Sequence, residues 1–430
     1  MFRFLHAADI HLDSPLRGLE RYEGAPVDEL RSATREALKN LVDLAVYREV
    51  DFLLIAGDLY DGDWKDYNTG LFFAREMSRL REAGIHVYIV FGNHDAASQI
   101  TKKLQNIPSN VFHFPTGKPK TEVMENLGVA IHGQGFSKRV VSENISSAYP
   151  KAKQGYFNIG ILHTSSTGRQ GHEPYAPCSV DDLLSKNYDY WALGHVHKRE
   201  ILHKSPWIIF PGNIQGRHIR ETGAKGCTLV SVEDGGNVVI EHHNLDVMRW
   251  ESCSVDGSGA ATPEEIIHRL KSEIRNKVDN SDGRPLALRV SISGRCNAHD
   301  ALTVNPEKWA NEIRAASTDV TGGRVWIEKI RISTGSPLDM EKMSERDDPI
   351  GSLLRFIRHM DSNAADMDTT GGDINEIMDM LAGDFVKLKA KLPSEVYGED
   401  ESLNLENPEK LREMLEHVKQ ILVSRLLANI

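Results

Sequence analysis

The chain has 430 residues, a mass of 48.1 kDa and 40% hydrophobic content, which excludes a single small domain and fits two or three domains with large cores. Its longest apolar runs, such as FLLIAG and WIIF, fall far short of the roughly 18 residues that span a bilayer, so no membrane segment is expected. The net charge of −11 argues against binding nucleic acid through bulk basicity, and residues 336–430, with 20 acidic against 11 basic side chains, carry −9 of it.

The opening MFRFLHAADIHLD has its apolar part interrupted by histidine and aspartate, unlike an export signal, which predicts a cytoplasmic protein. FRFLHAA, DFLLIAG and IHVYIVFG read as strands separated by helices over residues 29–47 and 68–83. The first helix sets Leu30, Ala33, Ala37, Leu41, Leu44 and Ala45 on one face. From residue 127 the pattern turns strand-rich, with GVAIHG, YFNIGILH, YDYWALG, WIIF, GCTLVSV and NVVIEHH divided by Gly, Asn, Asp and Pro. Mixed sheets covered by helices, an α/β sandwich, fit residues 1–245. A small α+β domain follows over residues 246–335: strand WESCSV, a helix opened by the capping box Thr262–Glu265, strand LALRVSI, a helix near 306–316 and strand RVWIEKIRI. Residues 336–430 read as a linker and a helical tail. The last helix starts at Asn407 and Pro408 and carries an apolar stripe from Leu411 to Leu426. Cys178, Cys227, Cys253 and Cys296 form no C-x-x-C pair, which predicts buried free thiols.

Polar residues gather where the strands stop: Asp9 and His11; Gly57 and Asp58; Gly92, Asn93, His94 and Asp95; His163; and Gly194, His195 and His197. Loops at strand ends of α/β folds aim short side chains into one crevice. One histidine there is more often a hydrogen-bonded structural group than a ligand. Five blocks of carboxylate, amide and imidazole instead suit Mn²⁺, Fe²⁺, Zn²⁺ or Mg²⁺.

The ordered set D-x-H, G-D, G-N-H-D, H and G-H-x-H resembles the calcineurin-like metallophosphoesterases over about residues 1–215. The wider stretches AADIHLDSPLRGL, AGDLYDGDWKDY, HGQGFS and FPGNIQGRHIRETG are similar to the SbcD-type DNA repair exonucleases, nearest their YhaO branch. The resemblance implies a four-layer α/β/β/α sandwich followed by a small α+β cap domain and a helical C-terminal region. It implies one metal held by Asp9, His11, Asp58 and His197 and a second by Asp58, Asn93, His163 and His195, manganese foremost, with Mg²⁺, Fe²⁺ or Zn²⁺ as alternatives. A carboxylate shared by Asp58 reduces the repulsion between cations roughly 3.5–4 Å apart, and such a pair lowers the pKa of water from about 15.7 toward about 7. His94, which the family does not use as a ligand, would stabilise the transition state or protonate the leaving oxygen, oriented by Asp95. Where SbcD-type nucleases commonly carry a histidine after G-D-L-aromatic, this chain has Asp61, a candidate acceptor behind the site. His132 is a candidate neighbour of the site.

The loop NIQGRHIRETGAKG offers Arg217, His218, Arg220 and Lys225 to backbone phosphates, the alternative being a solvated loop paired with Glu221. Tyr60, Trp64 and Tyr67 would either wall an unpaired base or pack their own loop. By resemblance the activity is a nuclease acting on DNA ends with an SMC-like, SbcC/YhaN-like coiled-coil ATPase. That partner would be bound through the region after the cap, where the final apolar stripe is the candidate docking helix. A homodimer is also expected from the resemblance. The competing functions are a phosphodiesterase or phosphatase for small phosphate esters, and a non-catalytic scaffold.

Overall fold

Successive side chains of a strand face opposite ways, and in this protein both faces are covered. The computed structural model describes residues 1–14, 25–61, 67–97, 107–165 and 175–337, with five single positions between 345 and 355. In β1 (Phe2–Ala7), Phe2 and Phe4 enter one core while Leu5 and Ala7 enter another. β2 (Phe52–Ala56) and β3 (His86–Val90) repeat the division, with Phe52, Leu54, Tyr88 and Val90 on the first side and Leu53, Ile55, Val87 and Ile89 on the second. This two-sided burial is why β2 and most of β3 read as apolar runs, while β1 also carries the exposed Arg3 and the buried His6.

The second of those cores is closed by α1 (Val27–Tyr47) and α2 (Tyr67–Glu82), through Ala37, Leu38, Leu41, Phe73, Met77 and Leu80. Both helices lie within two residues of their sequence-based limits. β4 (Val111–His113), β11 (Gly226–Val232) and β12 (Val238–Asn244) complete a sheet in the order β12-β11-β1-β2-β3-β4, with β1 to β4 parallel and β11 and β12 antiparallel. A second sheet is built from β5 (Lys120–Met124), β6 (Val129–Gly133), β7 (Phe157–His163), β8 (Tyr190–Gly194), β9 (Glu200–Lys204) and β10 (Trp207–Phe210). Its order is β5-β6-β7-β8-β10-β9. Ile131, Ile159, Ile161, Tyr190 and Ile209 of this sheet pack on Phe4 and Phe52 of the first. The short α3 (Asn93–Ala97) follows β3, while α4 (Val180–Leu184) and the 3₁₀ turn Ile145–Ala148 cover Trp191, Leu193 and Ile208 on the outer face. The architecture is an α/β sandwich.

The sheets come very close at Gly194, where an added Cβ would lie 1.8 Å from the Ala56 carbonyl oxygen. Gly194→Ala is therefore expected to lower stability by about 1–3 kcal/mol, read as a lower urea midpoint. An unchanged midpoint would contradict the close approach.

A three-stranded sheet, β13 (Arg249–Asp256), β14 (Leu286–Arg295) and β15 (Val325–Gly335) in that order, accompanies α5 (Pro263–Asp279), α6 (His299–Val304) and α7 (Pro306–Thr321). Glu265 accepts the Ala261 backbone N–H at 3.0 Å, one residue ahead of the Thr262 expected to open the capping box. The chain divides into two compact units, Met1–Ser252 with Lys277–Arg289 and Thr321–Glu328, and Cys253–Asn276 with Val290–Val320 and the described residues from Lys329 on. The first holds both six-stranded sheets, and the second buries Ile266, Leu270, Ile274, Val290, Ile292 and Ile313. All four cysteines are buried and free. No helix among the described residues is long and apolar enough to cross a membrane. Trp64, the Tyr67 side chain, nearly all of the linker, and the tail with its apolar stripe lie outside the described residues.

Candidate metal centre

β1, β2, β3, β7 and β8 each hand a polar block to one crevice. The backbone turns sharply there: Asp9 (φ 52°), His11 (φ 45°), Asp58 (φ 52°) and His195 (φ 104°) all have positive φ, a left-handed conformation that costs roughly 1–2 kcal/mol for a residue with a Cβ. Hydrogen bonds hold the strain in place. Asp9 N–H donates to Gly57 O (3.0 Å), His11 N–H to Asp58 O (2.9 Å), and His195 N–H to both Asp9 oxygens (3.0 Å). Gly57, at φ 91°, has no room for a side chain, since a Cβ would lie 2.3 Å from His163 Nδ1.

Asp58 is 1% exposed. Its Oδ1 accepts the His94 N–H at 2.9 Å, while Oδ2 faces His163 Nε2 at 3.5 Å and His11 Nε2 at 3.8 Å. His11 Nε2 lies 3.2 Å from His197 Nε2, which lies 4.0 Å from Asp9 Oδ1. His163 Nε2 is 3.0 Å from Asn93 Oδ1. Potential ligand atoms of Asp9, His11 and His197 lie within 4.8 Å of one another, as do those of Asp58, His163 and His195, and those of His11, Asp58 and His94. The structure thus brings together all seven expected ligands and His94.

The donor chemistry fits divalent cations. His163 donates from Nδ1 to Ala56 O (2.9 Å) and His197 from Nδ1 to Glu221 Oε1 (2.6 Å), so both Nε2 lone pairs turn inward. There His163 Nε2 meets Asn93 Oδ1, lone pair against lone pair, an arrangement that repels unless a proton or metal lies between, and His197 Nε2 meets His11 Nε2 at a distance that a hydrogen or a metal must bridge. The charge balance points the same way. Burial favours a neutral His163 ring, yet the Asp58 carboxylate overrides it and pushes the ring up to about 9. Burial and the Asp58 charge together push the Asp95 carboxyl up to about 7. Burial would also raise Asp58, but His163, His11 and His94 hold it well below the usual carboxylate range. Without metal, a proton on His163 balances the Asp58 charge.

Several surrounding residues differ from expectation. Asp95 does not orient His94: its carboxylate accepts the N–H groups of Leu59 (3.2 Å), Tyr60 (2.9 Å) and Gly92 (3.0 Å), pinning the loop after β2 to the loop after β3. His94 Nδ1 pairs instead with Asp61 Oδ1 at 2.7 Å, and Asp61 also accepts the Ser14 hydroxyl at 2.6 Å. His132 is bonded to Thr121 (2.8 Å) and Asn158 (3.0 Å) and stacked on Tyr188, a structural setting within the second sheet. Tyr60 is buried and packs edge-on against Phe73, so it offers no wall for a base.

In the 213–226 loop, the Arg217 guanidinium reaches 3.5 Å from Asp61 and 3.3 Å from Glu221, whereas His218 and Arg220 are exposed. Lys225 is buried and donates to His197 O at 3.2 Å, bracing the loop that carries His197 rather than awaiting phosphate. Glu221, expected from the sequence only as a counter-ion of this loop, is the partner of His197, one of the candidate ligands. Its one sequence signal is the four-residue spacing from Arg217.

This sandwich, with oxygen and imidazole acceptors converging at its strand ends, is the frame of a metal-dependent phosphoesterase. Residues 2–199 match the calcineurin-like phosphoesterase family, and residues 250–335 match the middle domain of metallophosphoesterase YhaO. The chain is 36% identical over 298 residues to the uncharacterized metallophosphoesterase YhaO of Bacillus subtilis (strain 168), covering 68% of this chain and 71% of that relative. It is 25% identical to the DNA double-strand break repair protein Mre11 of Sulfurisphaera tokodaii, covering 68% and 74%, and 22% identical to a component of nuclease SbcCD of Escherichia coli (strain K12), covering 57% and 68%. The chain belongs to the calcineurin-like metallophosphoesterases, in the group of YhaO, and is a metal-dependent phosphoesterase.

Proposed function

We propose that the protein hydrolyses phosphodiester bonds at DNA ends with two divalent ions, manganese foremost. Asp9, His11, Asp58 and His197 hold one ion, and Asp58, Asn93, His163 and His195 hold the other. The observation that carries this reading is Asp58 Oδ2, lying between His163 Nε2 at 3.5 Å and His11 Nε2 at 3.8 Å as a shared ligand must. The ions, when bound, supply Lewis acidity toward water and the phosphoryl oxygens. His94, held at Nδ1 by Asp61, hands a proton to the leaving oxygen from its other ring nitrogen. Asp95 keeps the two ligand loops in register.

DNA as substrate is supported by the Mre11 and SbcCD relatives, whose names refer to break repair and nuclease activity. It is supported too by the cations of the 213–226 loop: Arg217 beside Asp61 would meet a phosphate oxygen, and the exposed His218 and Arg220 would extend the contact along the backbone. The Arg217→Ala, Arg220→Ala double variant is expected to bind DNA more weakly and to flatten the salt dependence by about one to two charges. Unaltered affinity and slope would remove these residues from the interface. The proposal includes a cytoplasmic setting, a catalytic domain over residues 1–245, a cap over 246–335, a homodimer, and an SbcC/YhaN-like ATPase bound through residues 336–430.

The test is to incubate the protein and an Asn93→Ala, His94→Ala variant with end-labelled duplex and single-stranded DNA, with Mn²⁺ or chelator, beside a cyclic nucleotide. Metal-dependent shortening of DNA by the unaltered protein alone is expected. Hydrolysis of the cyclic nucleotide alone would favour a small-ester phosphodiesterase.

A further inference from the structure

The two ligand histidines with identified Nδ1 partners are held by different kinds of group. His163 donates from Nδ1 to a neutral backbone carbonyl, Ala56 O, whereas His197 donates to a carboxylate, Glu221 Oε1, at 2.6 Å. Glu221 is only 6% exposed. Its Oε1 is also approached by Arg217 Nη2 (3.3 Å), and its Oε2 accepts Arg217 N–H (2.8 Å) and Asn213 Nδ2 (3.0 Å). Asn213 is fully buried and anchors its own amide to Gln215 O at 2.8 Å. The Glu221 N–H closes a turn onto His218 O at 2.9 Å. Donors therefore fix the carboxylate from several sides. An ordinary counter-ion for loop cations would sit in solvent and contribute little.

We infer that Glu221 is the positioning residue of the His197 side of the metal centre, setting the imidazole so that Nε2 faces Asp9 and His11, and that it seats Arg217 on the same carboxylate. The inference rests on the two-metal reading above. A carboxylate behind a ligand imidazole fixes its tautomer and raises its basicity, and losing such a partner typically costs about 10–100-fold in metal affinity. Because His163 leans on a carbonyl, the loss should fall on one site only.

The experiment is a calorimetric Mn²⁺ titration of the chelator-stripped full chain, with thermal melting of each metal-free protein. The parent should show two binding steps. Glu221→Ala should weaken one step by about 10–100-fold and leave the other within about threefold, with Glu221→Gln between the two because its amide oxygen still accepts from His197. Arg217→Ala, which takes one side-chain donor from the carboxylate and leaves the residue 217 N–H and Asn213, should weaken that step less than Glu221→Ala does. Absence of Mn²⁺ binding by the parent would sink the two-metal reading itself. Two steps in the parent that both survive, or both weaken equally, in Glu221→Ala would overturn only the role of Glu221. Collapse of the metal-free fold in both Glu221 variants would likewise overturn it, making the residue structural.

Discussion

Asp58→Asn is expected to abolish tight Mn²⁺ binding and to reduce phosphodiester hydrolysis by more than about 100-fold, the upper end of what removing a mere outer partner of a ligand costs. The substitution keeps the side-chain shape and leaves one oxygen to accept the His94 N–H. What it removes is the negative charge between His11 and His163, and it turns an amide N–H₂ toward them. Asp58 is buried, so no solvent makes up for that charge. Both sites lose a ligand at once, which is why the effect should exceed that of any other single ligand. The check is Mn²⁺ stoichiometry measured beside the hydrolysis rate. A variant that keeps two tightly bound ions, or more than about a tenth of the activity, would contradict the shared-carboxylate arrangement.

His94→Gln is expected to behave differently, with kcat falling by about 10²–10⁴-fold while two Mn²⁺ ions still bind. His94 sits near Asp58 and His11 closely enough to be a ligand on distance alone. Its Nδ1, however, is engaged by Asp61 at 2.7 Å, the arrangement of a proton donor steadied by a carboxylate. Loss of an ion in His94→Gln would make the residue a ligand after all. Intact metal content with a collapsed kcat would place it with the reacting atoms. A small change in both would leave it without a part in the chemistry.

The candidate ligands were legible because each lies next to a strand that announces itself. FRFLHAA, DFLLIAG and IHVYIVFG are mostly apolar stretches, and the polar residue that follows each, Asp9, Asp58 or Asn93, stands out against them. Short apolar runs bounded by Gly, Asn and Asp likewise marked β6, β7 and β8, whereas β4, with three residues, and the five-residue α3 and α4 are too short to carry a periodic signal. The supporting residues were hidden for a different reason. Asp61 and His94 are 33 residues apart, and His197 and Glu221 are 24 apart, so only the folded crevice pairs them. Asp95 shows the converse error. Adjacency to His94 suggested a partner, but α3 turns its carboxylate back to the backbone of Leu59, Tyr60 and Gly92. Tyr60 and Lys225 misled in the same way, since a residue type suited to nucleic acid says nothing of which way its loop faces.

Anomalous scattering at the manganese edge from crystals grown with Mn²⁺ tests the central claim most directly. Two peaks roughly 3.5–4 Å apart, flanking Asp58 and enclosed by Asp9, His11, Asn93, His163, His195 and His197, are the predicted result. A single peak away from Asp58, or no peak among these side chains at saturating Mn²⁺, would contradict it.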